Sequence, residues 1–350
     1  MQSFFKKLPR YSLRLLLAYL VYIFTGGVLA YLLPRQARNL PQTDSFYGIG
    51  RGPDRAVLVE EPQDAFARRV EVIRTAQSTL DVCYHCVKSG ETTECFFAEL
   101  LRAADRGVRV RVLLDGTVGG LSGARSNIAL ALRAHPNIEY RIYNPVDLLR
   151  PWEWNALLHD KFILADDRML LLGGRNIGDE YFAPPGYEGA VTYDRDVLVL
   201  NDLAGTPDSS ESVTAQAKIY MDTLWDAPET DKFGTLSPSR RADGLAAQEY
   251  LKETAARWEA AAPSFYLPSE PASQCAVPTQ RVTLLHNPVS PFKKEPTLGA
   301  TLAQLLSGCQ KIRLQTPYAT ANPSTLAALT RLAKQGHVEY LTNSMASSPN

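Results

Sequence analysis

Residues 157–182, LLHDKFILADDRMLLLGGRNIGDEYF, constrain the fold more than any other stretch of the chain. Side chains alternate between the two faces of a strand, so His159 and Lys161 are predicted to share one face, with Asp160 on the other. Two aspartates then supply turn residues, and residues 169–172 are predicted to form the returning strand. The stretch is therefore predicted to be a β-hairpin that carries an imidazole and an ammonium group side by side.

The residues at the end of this hairpin suit a phosphodiester ligand. Gly173 and Gly174 let the backbone approach a ligand closely, and Asn176 can offer its amide beside the imidazole and the ammonium. Phosphoryl transfer needs a nucleophile, together with positive charge and neutral donors on the equatorial oxygens. A neutral imidazole can attack phosphorus, and Lys161 supplies a compact charge with three donors. The alternative interpretation is a buried hairpin whose histidine is structural.

The hairpin follows the spacing H-x-K-x4-D-x6-G-[GS]-x-N, which resembles the motif of the phospholipase D superfamily. The residues at its fixed positions are His159, Lys161, Asp166, Gly173, Gly174 and Asn176. The continuation GGRNIGDEYF is most similar to the cardiolipin synthase branch of that superfamily. The resemblance implies an α/β fold: a phospholipase D-like α/β/α sandwich of two pseudo-duplicated halves, each of which brings one histidine motif to a shared cleft.

The resemblance also implies roles for individual residues. The catalytic positions are matched by His159, Lys161, Asp166 and Asn176, and the substrate-binding positions by Gly173, Gly174 and Asp194. Asp166 is expected to fix the hairpin turn rather than to touch the substrate. In this superfamily an acidic residue at the place of Asp194 buttresses the catalytic histidine of the opposite half. Asp196 is the second candidate for that role, and for either residue a surface carboxylate is the alternative.

By resemblance, the complete enzyme works through two displacements. His159 attacks phosphorus and forms a phosphohistidine while a second histidine protonates the leaving alcohol; another alcohol, or water, then attacks with that histidine as base. The cardiolipin synthase branch transfers a phosphatidyl group from phosphatidylglycerol, or from another phospholipid such as phosphatidylethanolamine, to the glycerol hydroxyl of phosphatidylglycerol. No metal and no other cofactor is expected, because two lysines and two amides supply the positive field.

An uncharged apolar stretch, residues 15–33, precedes the domain. As a helix it would be roughly 28 Å long, close to the hydrocarbon thickness of a bilayer. A cleavable signal peptide is the alternative, but its apolar region is usually shorter, so a retained anchor is preferred. Basic residues come before the stretch: Lys6, Lys7, Arg10 and Arg14. They predict a single-pass protein of the bacterial cytoplasmic membrane, with its N-terminus in the cytoplasm and its catalytic domain outside.

The charge balance and the cysteines exclude other classes of function. Lys and Arg total 37, as do Asp and Glu, so the net charge is zero and nucleic acid is not an expected partner. Phospholipids and the membrane are the expected partners. The five cysteines show no disulfide framework. Cys83 and Cys86 lie three apart in a predicted strand and would face opposite sides, so buried thiols are expected rather than a metal site.

Predicted strands alternate with predicted helices along the chain, which indicates an α/β sheet with helices on its faces. The predicted organisation is a membrane anchor (1–35), a linker (36–55), a first phospholipase D-like half (56–230), a connector (231–280) and the start of a second half (281–350). The loop 144–155, which contains Trp152 and Trp154, enters directly before the histidine. It is predicted to form one wall of the substrate site; alternatively, the two tryptophans only pack the loop down.

The C-terminal part repeats the opening of the domain. Residues 79–115 run strand, loop, helix, Gly107, strand, and residues 311–343 do the same around Gly336. By the same interval a second histidine motif would fall roughly at residue 388, beyond Asn350. The second half is therefore expected to be truncated. Three further histidines lack a lysine two residues later and are interpreted as structural: His85, His286 and His337.

Three functions remain open on the sequence alone. The first is a phosphatidyltransferase that makes cardiolipin, and the second is a hydrolytic phosphodiesterase acting on lipid or nucleic acid. The third is an inactive fragment that only binds lipid at the membrane. A two-histidine site with one histidine lacks its general acid, so the 350-residue chain alone is expected to turn over poorly. A homodimer, which restores the pair in some single-motif relatives, is the alternative.

Overall fold

The computed structural model describes residues 10–32, 35–290, 292, 294–317 and 323–343. These residues form two compact units. The larger unit comprises Gly48–Leu284 with the N-terminal helix and residues 289–292. The smaller unit is built from the described parts of residues 35–47, 285–288 and 294–343.

A mixed nine-stranded sheet forms the centre of the larger unit. Its strands are β1 (Asp54–Val59), β2 (Thr79–Tyr84), β3 (Arg109–Asp115), β4 (Ile138–Tyr143), β5 (Lys161–Ala165), β6 (Met169–Gly173), β7 (Asp196–Asn201), β8 (Thr230–Lys232) and β9 (Val277–Pro278). They lie side by side in the order β8-β4-β3-β2-β5-β6-β7-β1-β9. Strands β2, β3 and β4 are parallel, and β5 is antiparallel to both β2 and β6. The predicted hairpin is present as β5 and β6, with Phe162 opposite Leu172.

Helices cover both faces of this sheet. The helices are α1 (Arg10–Ile23), α2 (Pro62–Thr75), α3 (Glu91–Asp105), α4 (Ser126–Ala134), α5 (Asp179–Phe182), α6 (Val213–Trp225), α7 (Pro238–Ala261), α8 (Pro263–Tyr266), α9 (Ala272–Cys275), α10 (Thr297–Leu305) and α11 (Pro323–Gln335), the last two in the smaller unit. Alternate residues of β5 belong to different cores: Ile163 packs in the core that includes α2, α3, α4 and α7, whereas Phe162 and Leu164 pack against α6. The predicted α/β class is confirmed.

A charged network is buried at the side of β7. Asp196 is 1 % exposed, and one of its carboxylate oxygens lies 3.0 Å from Nη1 of Arg69 on α2 and 3.0 Å from Nη1 of Arg175, which follows β6. Burial by itself would raise the pKa of Asp196, but Arg69 and Arg175 together lower it. Arg69 also donates to the hydroxyl of Tyr84 on β2. One carboxylate thus connects a helix to three regions of the sheet.

The N-terminal apolar helix, Tyr11–Tyr31, is the one helix among the described residues that is long and apolar enough to cross a membrane. It begins as α1 and continues through a π-helical turn, Phe24–Val28, into a short 3₁₀ segment, Leu29–Tyr31. A membrane anchor and a signal sequence both fit this length and composition. Lys6, Lys7 and the last residue of the predicted span, Leu33, lie outside the described residues.

The smaller unit contains a second strand–helix–strand element. β10 (Lys311–Gln315) and β11 (His337–Leu341) are parallel and are joined by α11, the same order as β2, α3 and β3. Gly336 precedes β11, and a Cβ there would lie 2.6 Å from the Gln310 carbonyl oxygen, so the absence of a side chain lets the two backbone segments approach closely. The order of elements predicted for residues 311–343 is present, and the duplication of whole halves stays a prediction.

Replacing Asp196 tests the buried network. Asp196→Ala would leave two arginines uncompensated in the interior and should lower the free energy of unfolding by about 3–5 kcal/mol. Urea unfolding of the full chain in detergent micelles measures this loss. The matched control is Glu60→Gln, which removes an exposed ion pair with Arg195 and should cost about 0–1 kcal/mol. Equal losses in the two variants would contradict the assigned role of Asp196.

Candidate active site

His159 lies two residues before β5 and is exposed, whereas Lys161, the first residue of β5, is 6 % exposed. The Lys161 ammonium donates to the His159 carbonyl oxygen at 2.8 Å and lies 3.4 Å from Nδ1 of the imidazole. Asp160 points to the opposite face, where it accepts a hydrogen bond from Tyr220 of α6. The alternation predicted from the sequence is therefore confirmed, and it places the imidazole and the ammonium together.

The backbone before His159 is held from two neighbouring strands. Asp115, at the end of β3, accepts a hydrogen bond from the Leu158 N–H at 2.8 Å. Nδ1 of His85, which follows β2, lies 2.8 Å from the Leu158 carbonyl oxygen and therefore carries the proton, because a carbonyl oxygen only accepts. The N–H and the carbonyl of Leu158 are thus both hydrogen-bonded, and these two bonds fix the backbone from which the His159 side chain extends.

His85 also contacts the candidate nucleophile directly. The centroids of the His85 and His159 rings lie 4.4 Å apart, with the rings tilted by 55°. The interpretation of His85 as merely structural therefore missed a ring that packs against His159. Asp115 follows a predicted strand and His85 lies within another, but no local pattern indicated that the two would meet at Leu158 and His159.

The electrostatics of the site favour a neutral imidazole. Partial removal from water, and after it the Lys161 ammonium and His85, together lower the pKa of His159 to about 4, and Asp115 acts weakly against them. Desolvation also lowers the pKa of Lys161, although Asp160 and Asp194 favour its charged form. At neutral pH His159 therefore presents an unprotonated ring beside a cation.

Asn176 lies at the same edge of the sheet and is already hydrogen-bonded within the domain. Its Oδ1 accepts from the Cys86 N–H at 3.1 Å, one residue from His85, and its Nδ2 donates to the Tyr181 hydroxyl at 3.1 Å. An amide nitrogen carries two N–H groups, of which Tyr181 accepts one. Tyr181 on α5 was not singled out from the sequence, and it orients the amide that the motif supplies.

The paired glycines allow the protein to pack on itself. A Cβ on Gly173 would overlap the carboxylate of Asp196, and a Cβ on Gly174 would overlap that of Asp194. The Gly174 N–H donates to the Arg195 carbonyl oxygen at 3.1 Å. The close approach expected for a ligand is here made by the start of β7 and the residues before it. The proposed role of these glycines in substrate binding stays a prediction.

Asp194 and Asp166 lie in different places relative to the imidazole. Asp194 is close enough to Lys161 to stabilise its ammonium electrostatically. Asp166, at φ 52°, is at the far end of β5, where its carboxylate accepts from the backbone N–H groups of Gln77, Ser78 and Thr79 at 2.8–2.9 Å. These bonds fix the hairpin turn against the start of β2, as expected. A cleft of about 610 Å³ opens beside Asp166, away from His159.

The described residues hold no group of three or more His, Cys, Asp or Glu side chains arranged for a metal ion. The five cysteines are free thiols. Cys83 is buried, and burial raises the pKa of its thiol.

The geometry of the site presents an exposed imidazole, a nearby cation and a carboxamide at one edge of a sheet, the groups that a phosphodiester requires.

Residues 70–199 match the family model described as cardiolipin synthase, PLD-like domain. This part of the chain belongs to the phospholipase D superfamily. The phospholipase D-like domain is 39 % identical over 152 residues to cardiolipin synthase C of Escherichia coli K12, a match that covers 41 % of this chain and 31 % of the relative. It is 29 % identical over 164 residues to a cardiolipin synthase of Geobacillus thermodenitrificans, covering 45 % of this chain and 32 % of that protein. The chain thus spans about a third of these relatives.

A solved structure shares the fold over a longer range. Phosphatidylserine synthase of Haemophilus influenzae Rd KW20 superposes with a TM-score of 0.55 at 16 % identity, covering 87 % of this chain and 64 % of that one. At this identity the likeness concerns the fold alone. It confirms a phospholipase D-like arrangement of the sheet and its helices.

A titration of the histidine rings tests the electrostatics of the phospholipase D-like domain. In the wild type, His159 should stay neutral down to about pH 4, and Lys161→Met should raise its pKa toward the ordinary value of about 6.5, because a neighbouring cation is lost. The ring signals of ¹³C-labelled histidine, assigned through His159→Gln among the five histidines, give the pKa. As pH falls from about 6.5 toward 4, the unfolded chain takes up this proton first, so the contribution of His159 to stability declines.

His135→Asn serves as the control for this titration, since His135 pairs with Asp105 instead of contacting the site. It should leave the His159 titration unchanged. A His159 pKa near 6.5 in the wild type, or no change on removing the Lys161 ammonium, would contradict the assignment.

Proposed function

We propose that this chain is a phosphatidyltransferase of the cardiolipin synthase type, in which His159 forms a covalent bond to the phosphorus of a phospholipid. The observation that carries the proposal is the exposed imidazole of lowered pKa with the Lys161 ammonium 3.4 Å from its Nδ1. A ring that is unprotonated at neutral pH has a lone pair to attack with, and the cation attracts the anionic diester to it.

The first step forms an N–P bond on the His159 ring and breaks the P–O bond to the head-group alcohol, here glycerol from phosphatidylglycerol. Lys161 stabilises the charge on a non-bridging oxygen. Asn176 contributes its amide, whose orientation Tyr181 and Cys86 already fix. The leaving alkoxide takes a proton from a general acid. In the second step the hydroxyl of another phosphatidylglycerol attacks phosphorus and gives its proton to the same group, now acting as base, while the N–P bond breaks and cardiolipin is released.

His159 is not that acid, because its ring nitrogen bonds to phosphorus and a ring with a pKa of about 4 is not an imidazolium at neutral pH. We propose that a second histidine motif supplies it, either from a second half of a longer polypeptide or from a second copy in a homodimer. The relatives that carry the name cardiolipin synthase, of which this chain spans about a third, support the first arrangement.

The second candidate function is hydrolysis, in which water takes the place of the acceptor lipid. Incubation with phosphatidylglycerol separates the two functions, since transfer accumulates cardiolipin and hydrolysis accumulates phosphatidic acid. The N-terminal apolar helix favours a lipid over a nucleic acid as substrate, because an anchor would hold the domain beside the bilayer.

Trapping the covalent intermediate tests the proposal directly. The full chain, incubated with a fluorescent phosphatidyl diester of p-nitrophenol, should acquire label that acid removes and that His159→Ala abolishes, a loss of about 10³-fold or more. An aryl leaving group needs no general acid, so this first step does not depend on the second histidine. His135→Asn should label as the wild type does.

Absence of label on the wild type, or label that persists in His159→Ala, would overturn the nucleophile assignment. Label on His159 that passes to water as phosphatidic acid, and never to added phosphatidylglycerol as cardiolipin, would leave the nucleophile in place and refute the transferase assignment.

A further inference from the structure

The loop between β4 and β5 carries exposed apolar side chains and contacts the N-terminal helix. This segment, the 146–154 loop, comprises residues 146–154. Its tip exposes Val146 to 52 %, Leu148 to 62 % and Leu149 to 72 %. Consecutive exposed leucines are unusual on a surface that faces only water.

Three tyrosines of the N-terminal helix bind backbone carbonyls of this loop. The Tyr19 hydroxyl donates to the Leu148 carbonyl at 2.8 Å, the Tyr22 hydroxyl donates to the Leu149 carbonyl at 2.5 Å, and the Tyr31 hydroxyl donates to the carbonyl of Trp152. In water a loop carbonyl needs no such partner, whereas in hydrocarbon an unsatisfied one costs several kcal/mol. The loop backbone thus has the partners that a non-aqueous surrounding demands.

Further carbonyls of the loop are bound from within it. The Asp147 carbonyl accepts from Nε1 of Trp154 at 2.6 Å, and the Arg150 carbonyl accepts from the Glu153 N–H at 2.9 Å. The charged side chains near the tip also pair, since Arg150 lies 3.5 Å from Asp147 and 3.6 Å from Glu153. Pairing and the long arginine stem reduce the cost of charge close to lipid.

Glycines bring the helix and the loop close together. A Cβ on Gly26 would lie 3.1 Å from Cγ of Pro151, and one on Gly27 would lie 3.1 Å from the Pro151 carbonyl oxygen. Tyr22 packs edge-on against Trp152, with ring centroids 6.0 Å apart. Small residues at the contact are the usual means by which segments pack inside a membrane.

We propose that the 146–154 loop enters the lipid bilayer alongside the N-terminal helix. Leu148 and Leu149 contact acyl chains beside the middle of the helix, at Tyr19 and Tyr22. Trp152 spans this contact, since its ring packs against Tyr22 and its carbonyl accepts from Tyr31 nearer the end of the helix. The partner of this surface is bilayer lipid. The contact does not depend on the chemistry at His159.

Depth-dependent quenching tests the location of the loop. Full-length chain is reconstituted in vesicles of phosphatidylcholine and phosphatidylglycerol with brominated acyl chains, and a tryptophan is introduced by Leu149→Trp. Its added fluorescence should be quenched by the bromines and protected from aqueous acrylamide. The matched control is Leu267→Trp, at a site 58 % exposed outside the loop, which should show the reverse. The same behaviour in both variants would overturn the proposal.

The tyrosines provide a second measurement. The triple variant Tyr19→Phe, Tyr22→Phe, Tyr31→Phe keeps the rings and removes the donors, so the Leu149→Trp signal should move toward acrylamide accessibility. Tyr11→Phe, on the same helix, should not move it. An unchanged signal in the triple variant would show that the hydroxyls do not hold the loop in lipid.

A labelling experiment separates the membrane contact of the loop from the function proposed for His159. Leu148→Glu with Leu149→Glu should lower labelling by a p-nitrophenyl phosphatidyl diester carried in the vesicles at least about tenfold more than it lowers labelling by a water-soluble p-nitrophenyl diester. The control Ile219→Glu alters a side chain 68 % exposed on α6 and should change neither. Quenching without any label on His159 would refute the chemistry alone, and label without quenching would refute the membrane loop alone.

Discussion

The buried carboxylate of Asp196 is the interaction on which the rest of the site depends. Its two arginines come from α2 and from the motif segment after β6, and Arg69 reaches on to Tyr84, which pairs with Lys161 across β2 and β5. A charge removed from water requires its partners in good geometry, because an unpaired one costs several kcal/mol. The network therefore tolerates few arrangements of the strands that it joins. Arg175, a variable position of the motif, is structural for this reason.

A second constraint acts on the candidate nucleophile, His159. His159 is outside the regular strand, so the sheet ladder does not fix it; Asp115 and His85 do so by holding the N–H and the carbonyl of Leu158. The cation beside His159 has two opposite consequences. It would attract an anionic diester and, together with desolvation, which is the larger cause, it keeps the imidazole neutral, so that the ring is not an imidazolium acid at neutral pH. A site of this kind needs its acid on a different group.

The sequence was sufficient where local periodicity decides the outcome. Alternation alone placed Lys161 with His159 and sent Asp160 to the other face, where it binds Tyr220. The sequence was insufficient where the order of the strands decides which residues meet. Nothing local indicates that β2 lies next to β5 and brings the His85 ring against the His159 ring.

The paired glycines after β6 show the same limit on what can be predicted from the sequence. Gly173 and Gly174 predict a close approach, but the sequence does not say by what. In the structure the carboxylates of Asp196 and Asp194 occupy that space. Roles that depend on a long-range partner are thus recovered only once the fold is known.

The proposed membrane contact of the 146–154 loop would reach the candidate site through the base of the loop. Asn144, at φ 47°, binds the carbonyls of Glu153 and Ala156 through its amide, so both ends of the loop are held next to the sheet while its leucine tip extends outward. Only a few residues separate this base from His159. In the proposed contact, a tip in the acyl chains would set the height of the base relative to the head groups, where the phosphorus of a bilayer lipid lies, and His159 follows three residues after Ala156. A rigid base then fixes this height without any movement of the sheet.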